Sequence, residues 1–221
     1  MRLTFLEGRT NTRFPDLYGT AHQLCFFLHD SMTNLLITGR ESKAFYTTFK
    51  FQDEAEKRQF LEASDIFAWL DETRRHEDRI SLLMALVFPA VLGDMVNCIY
   101  ETLETSRKGK LTISYMLLRK PLQESLFVLE NIAADPDGFA DSMNTDPTRL
   151  HSQGSGRIAI HQERITAVLA KIDPLGMFEA AYLTKLRYDK AATDGFDGIC
   201  NNRSTCLQLV RRLEPVVSTL I

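Results

Sequence analysis

Arg119 and Glu124 are the first residues in this sequence whose types and spacing suggest chemistry. They interrupt a segment, about 110–133, that carries Leu111, Ile113, Tyr115, Met116, Leu117, Leu118, Leu122, Leu126, Phe127, Leu129 and Ile132. Charges on so apolar a helix have to be paired if buried. Glu124 across Pro121, or an acid such as Asp94 on another helix, could meet Arg119. One reading is an ion pair that fixes helix register. The other is an anion-binding arginine in a central pocket. His151, Arg187 and Asp189 complete the set of candidate acid–base groups. To act as a catalyst they would have to converge within hydrogen-bond reach.

Other chemistries lack their residues. No GxxxxGK[ST] phosphate loop, GxGxxG turn, HExxH helix or EF-hand loop occurs. No GxSxG elbow occurs either. Glu-x-x-His, which di-iron bundles use, is missing; His161-Gln162-Glu163 has the wrong spacing. Cys25, Cys98, Cys200 and Cys206 form no CxxC pair. They read as reduced, mostly buried thiols of a cytoplasmic protein. No metal and no cofactor is expected. His22 and His29, seven apart, share a helix face and could flank a site; the stronger reading is two partly exposed or core-edge histidines on an amphipathic helix.

The net charge of −3 gives no general field for nucleic acid or an anionic membrane. The basic clusters Arg107-Lys108-Gly109-Lys110 and Arg211-Arg212 fall near predicted helix ends, where cations are favoured anyway. Nucleic-acid binding stays open. The longest uncharged run, Ile80 to Gly93, has 14 residues, short of the ~20 that span a bilayer. It reads as a buried helix, and no membrane association is expected.

The elements that must position these groups are helices. Leu17, Ala21, Leu24, Leu28, Met32, Leu35 and Leu36 recur at helical steps, with Gly39 as a stop signal. Phe45, Thr47, Phe49 and Phe51 alternate, as in a short strand or an aromatic plug. Asp53 caps a helix predicted to run to about Arg75. A long helix with Pro89 follows at about 79–106, then the 110–133 helix with Pro121; both are predicted to kink. Asp135-Pro136, Asp146-Pro147 and Asp173-Pro174 each mark a helix start. Helices are expected at 157–172, 174–190 and 199–213, with a loop at 150–157. The fold class is all-α: one helical domain over 1–221, with two central proline-kinked apolar helices and a short strand or arm in residues 1–15.

The segment Leu117-Leu118-Arg119-Lys120-Pro121-Leu122-Gln123-Glu124-Ser125-Leu126-Phe127 resembles a helix of uncharacterised prokaryotic HEPN-like families, with Arg119 and Glu124 at the matching positions. Leu186-Arg187-Tyr188-Asp189-Lys190 is similar in character. The resemblance implies an all-α bundle, dimerisation and a place in prokaryotic toxin–antitoxin or antiviral defence systems. Active members of that group pair an arginine with a histidine a short way downstream. Here none of the five histidines has an arginine five to seven positions before it, and Arg203 is followed by Cys206 rather than a histidine. The expectation is therefore a non-catalytic interaction or regulatory protein that self-associates and engages a protein partner. The alternatives are a metal-independent ribonuclease with a non-standard site, and a small-molecule sensor using space near Pro89 and Pro121.

Overall fold

A computed structural model describes residues 16–145, 158–192, 195 and 196. The described chain is all-α. In order it forms α1 (Asp16–Glu41), α2 (Glu54–Glu62), α3 (Ile66–Glu72), α4 (His76–Arg107) and α5 (Leu111–Arg119). A π-helical turn (Lys120–Ser125) leads into α6 (Leu126–Ala134), followed by α7 (Pro136–Thr145), α8 (Ile158–Ile172) and α9 (Ala180–Tyr188). The expected N-terminal strand or arm, the helix start at Asp146-Pro147, the 150–157 loop and the 199–213 helix lie outside the described residues.

Helix α4 is the axis. α1, α3, α5, the π turn, α6 and α7 all pack on it. At 32 residues it is longer than the uncharged run that seeds it, and it is apolar enough to cross a bilayer by length and composition. Leu83, Phe139 and Ala140 form the centre of a core that Phe67, Ile80, Met84, Val87, Val128, Ile132 and Met143 surround. The two central helices of the sequence reading are thus present, as α4 and the α5–π–α6 rod.

Several boundaries differ from expectation. The helix from Asp53 breaks after Glu62, because Asp65 starts a new one: its carboxylate accepts the amide hydrogens of Phe67 and Ala68. Asp135 does initiate α7, accepting the Gly138 amide hydrogen at 3.0 Å with Pro136 in the first helical position. Asp173-Pro174 does not start a helix. The Asp173 carboxylate instead accepts from Met177 and Phe178 and stabilises a turn, and α9 begins only at Ala180.

Gly39 is a seat rather than a stop. α1 continues to Glu41, and the Phe45 ring lies directly on Gly39, where a Cβ would collide with it. Phe45 also packs against Phe88 at 5.9 Å, while Phe49 and Phe51 pack against Phe60. The 42–51 segment is therefore the aromatic plug and forms no strand. Arg75 pins it, with its guanidinium over Phe51 and Trp69 and a hydrogen bond to the Lys50 carbonyl.

Pro121 produces more than a kink. Proline has no amide hydrogen to give to the preceding turn. The rod accommodates it by widening to π geometry over Lys120–Ser125, with the Leu126 amide reaching back to the Pro121 carbonyl. Such insertions occur often at functional positions in helices.

Candidate functional site

The buried charges gather just past the π turn. Gln123, Phe127 and Glu130 are buried in this part of the rod and face α8 and α9, where they meet Arg187, His161 and Arg164. α8 presents His161, Arg164, Ile165 and Val168 on one stripe, at steps of three, one and three. α9 presents Thr184 and Arg187.

Glu130 is the hub. One carboxylate oxygen accepts from Arg164 Nε at 3.2 Å and the other from Arg187 Nη1. Arg187 also donates to the Leu122 carbonyl within the π turn, at 2.9 Å, and to Tyr188 Oη at 2.7 Å. Arg164 lies over the Phe127 ring, 4.1 Å from its centroid, and reaches His161 Nδ1 at 2.9 Å. All three ionised groups are more than nine-tenths buried. Burying them costs several kcal/mol each. Mutual pairing, the Phe127 face and the Leu122 carbonyl offset that cost.

The electrostatics follow. A guanidinium can only donate, so His161 Nδ1 is the acceptor and the ring proton sits on Nε2. Burial first, then the positive charges of Arg164 and Arg187, push His161 down to about 4. His161 is neutral near pH 7. Tyr188 is pushed up, mainly by burial. The cluster thus holds two cations, one anion and two neutral rings. Neither ring titrates near pH 7, where a general acid–base catalyst is most effective.

The candidates read from sequence divide. Arg187 belongs to this cluster. Arg119 joins its edge through Gln123: Arg119 Nε donates to Gln123 Oε1 at 3.0 Å, and Gln123 Nε2 points to the Arg187 carbonyl at 3.4 Å. Neither Glu124 nor Asp94 meets Arg119. Asp94 pairs with Lys120 at 2.7 Å, and Glu124 is exposed beside them. Asp189 ends α9 and accepts the Ala191 amide hydrogen. His151 lies outside the described residues. The five therefore do not form one shared site among the described residues.

Sequence reasoning missed Glu130, Arg164, His161 and Tyr188 as a unit. A signal existed: His161 and Arg164 fall on the apolar stripe of their own helix, next to Ile165 and Val168.

On the other side of the π turn lies an apolar groove of about 410 Å³. Val87, Ala90, Val91, Val128, Phe139 and Met143 line it, and Asp94, Lys120 and Glu124 stand at one end. It occupies the space near Pro89 and Pro121 named in the sequence reading.

Other details bear on chemistry. His22 Nε2 lies 3.2 Å from the Leu103 carbonyl and 3.0 Å from Ser106 Oγ, and His29 is buried against Tyr100, so both histidines join α1 to α4. Cys98 is half-buried and its thiol is pushed up by burial, whereas Cys25 is exposed, contrary to the buried reading. Among the described residues no group of three or more His, Cys, Asp or Glu side chains could hold a metal ion.

No protein-family model, no curated protein and no solved structure matches this chain. The class defined by its fold is an all-helical bundle with a buried ion network.

Proposed function

We propose that this chain is a non-catalytic helical interaction or regulatory protein that self-associates through α1 in the cytoplasm. The observation that carries this reading is the outer face of α1. Leu17, Leu24, Leu28 and Leu35 follow at spacings of seven, four and seven, and each is more than half exposed. That is the seam spacing of a helix that pairs with another. A like helix from a second copy supplies the same seam, as a two-fold interface requires. The setting, a subunit or regulator in a prokaryotic defence or toxin–antitoxin assembly, rests on the HEPN-like resemblance of Leu117–Phe127 alone.

The buried cluster supports the non-catalytic half of the reading. Glu130 is held by two guanidiniums, His161 is neutral and tied to Arg164, and Arg187 is buried. These are the features of an ion network that fixes helix register.

The test is the native mass of the full chain, with and without Leu24→Glu and Leu28→Glu together. A dimer that becomes a monomer with unchanged helical circular dichroism is the expected result. A wild-type monomer would sink the self-association reading, and a monomer with no stoichiometric partner from its host would sink the interaction reading with it. Cleavage of RNA by the pure protein, lost on changing Arg119 or Arg203, would overturn the non-catalytic one.

A further inference from the structure

The groove between α4, the π turn and α7 has the form of a ligand site rather than a packing defect. Its volume falls within the range of small-molecule sites, ~300–1,000 Å³. Val87, Ala90, Val91 and Asp94 occupy steps of three, one and three on α4, so one helix face forms a continuous wall ending in a carboxylate. Val128, Phe139 and Met143 form the apolar wall opposite. Phe139 is almost fully buried and gives the groove a firm floor.

The charges at the end of the groove identify the occupant. Two carboxylates, Asp94 and Glu124, stand there with one cation, Lys120. The lysine is engaged by Asp94 at 2.7 Å, so that pair is neutral as a unit. Glu124 forms no hydrogen bond or ion pair among the described residues, and its charge also acts on Lys120, so the three groups together keep one net negative charge. One negative charge is left at the mouth of an apolar slot. We propose that the groove binds a small apolar molecule carrying a single amine, its body against Val91, Val128 and Phe139 and its ammonium on Glu124. An anionic ligand would meet a net negative rim instead, which specificity by charge disfavours.

The test uses three probes with one apolar body: 4-phenylbutylamine, 4-phenylbutanol and 4-phenylbutyrate, titrated onto the full chain by calorimetry. The amine is expected to bind more tightly than the alcohol, and the carboxylate most weakly. Glu124→Gln should weaken the amine roughly three- to fivefold, the scale of an exposed ion pair, and leave the alcohol unchanged. Ala90→Trp, at an exposed wall position, should abolish binding of all three while the circular dichroism stays native. Failure of all three probes to bind, tighter binding of the carboxylate, or binding indifferent to Ala90→Trp would each overturn the proposal. None of these outcomes bears on self-association through α1, which lies elsewhere on α4.

Discussion

The His161 ring lies flat on the Tyr188 ring, with centroids 3.7 Å apart and planes 11° from parallel. The stack holds the histidine where burial first, and then the charges of Arg164 and Arg187, oppose a proton on it.

That relationship makes stability depend on pH. His161 is held down at about 4 in the fold against an ordinary value of 6.5. Between those values the unfolded chain binds the proton and the folded chain does not. Stability from this group is therefore full above pH 6.5 and is lost as pH falls toward 4, with a slope of at most ~1.4 kcal/mol per pH unit. Urea midpoints from pH 7 to 4 should fall more steeply for the wild type than for His161→Asn. The asparagine oxygen can still accept from Arg164 but does not titrate. Parallel curves would show that His161 is not the group responsible.

Removing the hub should be severe. Glu130→Ala leaves Arg164 and Arg187 buried without their anion, and is expected to cost ~3–5 kcal/mol. Converting all three at once to methionine should recover much of that loss, because the desolvation of the charges goes with them. Denaturant unfolding of the single and triple variants measures the difference. Equal destabilisation of both would mean that pairing is not what Glu130 contributes.

Gly39→Ala should destabilise the fold although alanine is the better helix former. The added methyl displaces Phe45 and loosens its contact with Phe88. Overpacking of this kind costs ~1–3 kcal/mol. The double change Gly39→Ala with Phe45→Leu should cost less than the sum of the two, and thermal unfolding of the set reads that coupling directly.

Arg119→Met should be mild, because Arg119 is half-buried at the edge of the cluster and its one contact to it runs through Gln123. Arg187→Met should be much worse, since it strands Glu130 with one partner and leaves the Leu122 carbonyl without its donor. A comparison of unfolding midpoints checks the order. A larger loss from Arg119→Met would reverse the assignment of hub and edge.

The helices were legible because apolar spacing and Asp caps are local signals. Asp53 and Asp135 both start helices where the sequence places them. Gly39 misled because the reason for a glycine there is the Phe45 ring, which folds back onto it. Asp173 misled because its carboxylate closes a turn as readily as it caps a helix. The charge cluster was half legible. Arg187 stood out in sequence, but Glu130 looked like one more acid on a long helix until α8 and α9 brought two arginines to it. Pairing across more than thirty residues leaves no trace in local spacing.

The π turn also shapes how the gene can vary. Its extra residue is taken up inside one widened turn, so α5 and α6 keep nearly the phase of one continuous helix. Deleting a residue within Lys120–Ser125 would close the turn to ordinary α geometry and move the Leu122 carbonyl that Arg187 holds, while Phe127 and Glu130 still faced Arg164 and Arg187. A residue lost between Phe127 and Glu130, in regular α-helix, would instead turn Glu130 by ~100° away from the face that Phe127 keeps. Orthologues are therefore expected to vary in length at the π turn before they do so within α6.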